Sequence, residues 1–253
     1  MRKILIFLFT VLSLASQAQI LRVGPKAGIQ LSRSTYEDGE FHRNYRRIPS
    51  FSYHAGVAIN IKVSNLLSLQ TEFLYEETKK HIESKLAGDW QKESYQYLSM
   101  PALLRFSFPV GISEIYINAG PKISYWLSGR GEVVHSEVFE FELETLQYDM
   151  IFRGNESEFR YFIDQPNRFQ LGLDFGIGAL LPVGTHSIMI DVRYTAAHTN
   201  MVKDQVKYLP LSFYEDNLLH RQHILSLSLA YIFDLDLREI KKKGKSSGDQ
   251  KDR

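Results

Sequence analysis

One pattern limits what this chain can fold into. Apolar and polar residues alternate in eight separate runs, all but one of nine residues or more, about the length that crosses a bilayer as a tilted strand. In "YHAGVAINIK", His54, Gly56, Ala58, Asn60 and Lys62 fall on one face, and Tyr53, Ala55, Val57, Ile59 and Ile61 on the other. "KAGIQLS", "LLSLQTEFLYE", "YLSMPALLRFSF", "EIYINAGPKISYW", "FQLGLDFGIGALL", "SIMIDVRYT" and "ILSLSLAYIF" repeat it. A period of two is the mark of a β-strand with unlike faces. Composition hides this: 44% hydrophobic and 23% charged residues would suit a water-soluble domain, so the order of the residues decides.

The connections alternate too. "KVSN", "FPVGIS" and "LPVGTH" are short turns rich in Gly, Pro or Asn. Between them come long loops at Arg33–Ser50, Lys79–Ser94, Gly129–Asn167 and Asn200–Arg221. Short turns at one end and long loops at the other predict an all-β fold: an eight-stranded antiparallel up-and-down transmembrane β-barrel over residues 19–237. An even strand number puts both termini at the short-turn, periplasmic end of a barrel in the outer membrane of a Gram-negative bacterium. The soluble alternative, a closed barrel or sandwich, would turn its apolar face inward.

The faces are chemically unlike. One is almost free of charge; the other collects Lys26, Lys62, Glu72, Glu76, Arg105, Lys122, Asp174, Asp191 and Arg193. Lys or Arg facing lipid near the midplane costs about 2–4 kcal/mol, so these residues are expected to point into the barrel. Eight strands leave room only for side chains, and buried charges must pair. An interior salt-bridge network is the expectation. Gly172, Gly176 and Gly178 share the inward face with Asp174, where they make room for larger neighbours. They are not a phosphate loop, which needs a strand, a turn and then a helix. Tyr53, Tyr75, Tyr97, Tyr125, Trp126, Tyr194 and Tyr231 near strand ends suggest aromatic girdles at the membrane interfaces. Within the third loop, "EVVHSEVFEFELETLQYDMIF" suggests a hairpin above the membrane, with Phe139, Phe141, Tyr148 and Phe152 either offered to a partner or packed on themselves.

The ends read differently. Residues 1–18 have the Arg2–Lys3 start, apolar stretch and small Ser16 and Ala18 of a secretory signal peptide. Residues 238–253 form a basic, poorly apolar tail, with Lys241, Lys242, Lys243 and Lys245 able to contact an acidic periplasmic or secretion-machinery protein. There is no cysteine, hence no disulfide or thiolate metal site. No cofactor motif is present. A net charge of +1 gives no basic face for nucleic acid; outer-membrane lipid is the expected surrounding. His42, His81 and His198 fall at the long-loop end with Asp38, Glu40 and Glu83 in the same loops. Catalysis there would need one such His to converge with a carboxylate, and no catalytic spacing such as H-E-x-x-H or G-x-S-x-G is present.

"GPKAGIQLS", "YHAGVAINIKVSNLLSLQTEFLYE", "YLSMPALLRFSF", "YINAGPKISYWLSG", "LGLDFGIGALLPVG" and "LSLSLAYIF" together resemble the PorT-like outer-membrane β-barrel family of Bacteroidetes-type bacteria. The resemblance implies a barrel without catalytic residues. Through the family's namesake it also implies a link to type IX protein secretion or envelope assembly. The reading is therefore a non-enzymatic structural or interaction barrel. The alternatives are a rim-located enzyme acting on lipid or peptide, and a narrow channel.

Overall fold

The structure is a computed structural model that describes residues 20–36, 43–85, 88–134, 145–152, 160–163, 165–202, 209–211, 214–216 and 220–236. Its strands are β1 (Ile20–Tyr36), β2 (Tyr45–Arg47), β3 (Ser50–Lys62), β4 (Leu67–Ser84), β5 (Trp90–Val110), β6 (Ser113–Val134), β7 (Leu146–Ile151), β8 (Arg160–Phe162), β9 (Phe169–Val183), β10 (His186–Ala197), β11 (Leu209–Leu211), β12 (Tyr214–Asp216) and β13 (His220–Asp236). Eight of them, β1, β3, β4, β5, β6, β9, β10 and β13, pair antiparallel in chain order, and β13 closes onto β1. Paired residues followed once round the ring from Tyr116 return to β6 at Trp126, ten positions along. That stagger tilts the strands by about 40°, as in membrane barrels.

The barrel is apolar outside and polar within. Exposed large hydrophobic side chains number 33 among the described residues. They form a continuous belt far beyond the few hundred Å² that a water-soluble monomer shows. From Leu98 to Phe108 the belt follows ten steps of β5, which at about 3.3 Å each and a 40° tilt spans roughly 25 Å of membrane. Two turns at one end are as short as hairpins allow. Gly111 and Gly184 have φ of +61° and +64° at the first turn position, and the residues after them do not have positive φ. This is the type II′ arrangement that suits strand twist.

At the other end the strands continue past the belt. Past Tyr75, β4 runs nine residues to Ser84, matched by β5 from Trp90 and by β6 to Val134. β2 adds to the edge of β4, β7 to β6, and β8 runs parallel to β7. The residues expected as long loops at 79–94 and 129–134 are therefore largely sheet. Their outward face meets water rather than lipid, so polar residues occupy both faces and the alternation that marks a strand disappears. A bulge adds a second reason: Trp126 and Gly129 both face inward across Leu127 and Ser128, which reverses the parity of β6 above the membrane.

Two apolar clusters close the interior. Ala58, Tyr116, Leu180, Met189, Ala230 and Ile232 fill the short-turn end. Tyr36, Tyr45, Ile82, Tyr95, Tyr97, Trp126, Val133, Tyr148, Met150, Ile163, Met201 and Val202 fill the long-loop end. Tyr97 and Trp126 thus lie inside, at 3% and 0% exposure, and not in a girdle; Tyr97 shares the parity of inward Ser99. Tyr53, Tyr75 and Tyr194 do line the long-loop edge of the belt, and Tyr231 the other edge. The hairpin expected in the third loop exists in part, as β6 with β7. Its Tyr148 is buried, with Phe152 packed on the cluster, so both pack inward and are not offered to a partner. Phe139 and Phe141, the segment 1–18 and the tail 238–253 lie outside the described residues.

Candidate functional site: the charged barrel interior

Strand parity turns the charges inward, and the stagger round the ring brings eight of them together between the two apolar clusters. Glu72 of β4 is the hub, with a fully buried side chain. Lys26 of β1 reaches both its oxygens at 2.9 and 3.1 Å. Arg193 of β10 grips them from the opposite side with two parallel hydrogen bonds of 2.9 Å, a fork geometry that only guanidinium offers. Gln70 donates to the same carboxylate at 2.6 Å.

Asp191 extends the cluster. It faces Arg193 at 3.0 Å and Lys26 at 3.4 Å, and it accepts from Tyr116 at 2.9 Å and Asn118 at 3.1 Å. Asp174 lies 3.6 Å from Arg193 and accepts from Thr195 at 2.7 Å. One step outward, Lys122 pairs with Glu76 at 2.8 Å, and Ser99 donates to the same carboxylate at 2.7 Å. His54 lies 2.9 Å from the Ser228 hydroxyl.

Glycine makes this packing possible at Gly178, opposite Tyr116 in the ladder. A Cβ on Gly178 would sit 2.3 Å from the Tyr116 hydroxyl. The ring passes over the bare backbone to reach Asp191.

Arg105 is handled differently. It makes no ion pair among the described residues. Its guanidinium lies 3.4 Å from the Tyr116 ring centre and donates to Gln70 at 3.1 Å. Its charge is met by a ring face and, through Tyr116 and Gln70, by Asp191 and Glu72. With Arg105, the level holds four cations (Lys26, Arg105, Lys122, Arg193) against four anions (Glu72, Glu76, Asp174, Asp191), so it is neutral as a whole.

Lys62 is not at this level. It sits at the short-turn rim, 3.4 Å from Glu114, which also binds Arg22 at 3.0 and 3.1 Å. Arg22 reaches Asp234 at 3.0 Å. At the far end, Lys80 and Glu93 form an ion pair with no exposure, enclosed by hydrogen bonds from Tyr95, Tyr148 and Gln91. Sequence reasoning missed Arg22, Glu114, Asp234, Lys80 and Glu93. Glu114 opens one of the alternating runs, and parity carried one or two steps beyond two others would have found Arg22 and Asp234. The last two required reading strands through segments taken for loops.

Among the described residues the interior is closely packed. The cavities within it measure about 30 Å³ beside Tyr97 and Lys122, and about 10 Å³ beside Lys26 and His54, room for a water or two at most. No group of three metal-binding side chains occurs among the described residues. No helix among them is long and apolar enough to cross a membrane.

Of the histidines at the long-loop end, His42 lies outside the described residues. His198 is exposed, its backbone NH bonded to the Leu171 carbonyl at 2.9 Å. His81 touches Glu83 at 3.2 Å, but Arg46 already holds Glu83 through two hydrogen bonds. Burial, the larger influence, outweighs Glu83 and holds the His81 pKa below its ordinary value.

A family model described as outer membrane protein beta-barrel domain matches residues 16–202. Among solved structures the chain is similar to the outer membrane protein OprG from Pseudomonas aeruginosa (11% identity, 87% of this chain and 97% of that one, TM-score 0.48). It is also similar to Ail, the attachment invasion locus protein of Yersinia pestis (13%, 84% and 99%, TM-score 0.38), and to a major outer membrane protein from Thermus thermophilus (13%, 83% and 99%, TM-score 0.41). No significant match is found among curated proteins.

Proposed function

The chain belongs to the outer membrane protein beta-barrel domain family, and we propose that it serves there as a sealed, non-enzymatic barrel whose work is done at its two ends. The observation that carries this reading is the filled interior: charges that neutralise one another, cavities of water size and apolar clusters above and below. A wall with no passage leaves its outward platform and its termini as the places to act. Among the described residues the rim-enzyme alternative has one His–carboxylate contact, His81–Glu83, and there the carboxylate is committed to Arg46.

Outer-membrane barrels keep short turns in the periplasm and long loops outside. The proposed orientation therefore puts the β2–β4–β5–β6–β7–β8 platform outside the cell and both termini in the periplasm. The basic tail would then reach periplasmic partners. With the PorT-like resemblance, this supports a role as an interaction component of protein secretion or envelope assembly. Crosslinked pull-down from outer membranes, with and without residues 238–253, tests it. Secretion-machinery proteins are expected with the full chain and lost with the tail. If none co-purifies, and deleting the gene leaves secretion intact, the secretion role is wrong.

A further inference from the structure

Where β1, β10 and β13 leave the apolar belt at the long-loop end, the outer wall carries cations. A groove of about 510 Å³ is lined by Leu31 and Leu225 on its membrane side, and by Arg33, Arg47 and His223 on its water side. Among the described residues no carboxylate lines it. Among the described residues neither arginine forms an ion pair; Arg47 donates to the Ser34 carbonyl at 3.4 Å. Burial, then the nearby charge of Arg33, holds the Arg47 pKa below its ordinary value. Two neighbouring guanidinium groups with no anion beside them among the described residues make a site that an anion would relieve.

This groove meets a second one. Tyr194 and Leu225 line both. The second groove, about 540 Å³, is almost wholly apolar and runs over Phe175 and Ala119 to Leu104. Tyr194, Phe175, Ala119 and Leu104 are successive partners on one ladder row. Because the strands tilt, that row descends: Leu31 stands eleven residues from the short-turn end of its strand at Ile20, and Leu104 six from Val110. The drop is roughly 10 Å or more into the membrane. Ala119, small between Phe175 and Leu104, leaves the dent. The Tyr194 hydroxyl, 2.8 Å from His223 Nδ1, fixes the ring that joins the two grooves.

We propose that this continuous groove is a binding site for one phosphorylated lipid of the leaflet at the long-loop end, its phosphate on Arg33 and Arg47 and an acyl chain laid along Tyr194, Phe175 and Ala119. Cations at the water line and an apolar channel descending from them fit a phosphate-bearing amphiphile, and charge complementarity selects it over a zwitterionic one. That this leaflet is the outer one rests on the orientation proposed above; the test has no sidedness, so the two can fail separately.

The full-length protein, folded in detergent, is offered equal amounts of dioleoyl phosphatidic acid and dioleoyl phosphatidylcholine, and retained lipid is read by native mass spectrometry. At least tenfold preference for one phosphatidic acid is expected, unmoved by millimolar inorganic phosphate. Arg33→Ala with Arg47→Ala should abolish the preference. Ala119→Trp, which fills the apolar groove and leaves both cations, should also weaken retention. Lys92→Ala with Arg130→Ala, on another face, should change nothing. Heat-modifiable migration on gels checks that each variant folds. The proposal is overturned if the double arginine variant keeps the preference, if the control variant loses it equally, or if free phosphate displaces the lipid.

Discussion

Replacing Glu72 with Gln keeps the side chain's size and removes the hub charge. Lys26 and Arg193 would then lose a carboxylate that each contacts at about 2.9 Å in a fully buried setting. Removing one partner of a buried ion pair costs about 3–5 kcal/mol. Arg193 retains Asp191 at 3.0 Å and Asp174 at 3.6 Å, and Lys26 retains Asp191 at 3.4 Å. Those contacts put Glu72→Gln at the lower end, about 3 kcal/mol. Lys26→Met, which instead leaves Glu72 with Arg193 and Gln70, should cost about 2–3 kcal/mol. Together the two substitutions make the level neutral again, so the double variant should cost about 3 kcal/mol, well below the sum, a coupling of about 2–3 kcal/mol. Urea unfolding of the barrel in lipid vesicles gives these energies, followed by Trp90 and Trp126 fluorescence and by the unheated gel band. If Glu72→Gln costs less than about 1 kcal/mol, or the two effects add within about 0.5 kcal/mol, the charges are not one compensated unit and the reasoning fails.

Three further outcomes follow from the same geometry. Gly178→Ala should displace Tyr116 from Asp191 and cost about 1–3 kcal/mol by overpacking, read in the same urea titration; a neutral result would mean the ring does not need the bare backbone. Glu93→Ala should remove the buried carboxylate that pairs with Lys80, speeding hydrogen exchange in residues 77–84 and 90–97 while the gel shift of the membrane barrel persists; unchanged exchange would refute a structural role for that pair. Since the chain has no cysteine, single cysteines can be placed cleanly. Leu98→Cys and Ile177→Cys should resist a charged maleimide in vesicles, whereas Glu132→Cys should react, and reversed reactivity would contradict the placement of the belt.

The barrel was legible because lipid demands a contrast that water does not. Wherever one face meets hydrocarbon and the other a polar interior, alternation is enforced residue by residue, and strand number and turns could be read from it. Glu72, Glu76, Lys26, Lys122, Asp174, Asp191 and Arg193 were legible as inward residues for the same reason. Which of them touch was not, because contact across the interior depends on the stagger round the ring, and no single run encodes that. Lys62 shared the parity but sits at the rim. Arg105 found an aromatic face where an ion pair was expected. The platform was illegible because both its faces are polar or locally packed, and because the bulge at Leu127 reverses the parity that carries the signal. Tyr97 and Trp126 looked like girdle residues by position along the strand; their parity, with Ser99 and Lys122, already placed them inside.

The most direct test of a sealed barrel is the conductance of the purified full-length protein in a planar bilayer. The packed interior predicts an unchanged baseline under applied voltage, once insertion is verified by the folded gel band. Discrete, reproducible ion-conducting steps from the wild-type protein would show a continuous aqueous path, and would contradict the account of a lumen filled by mutually neutralised side chains.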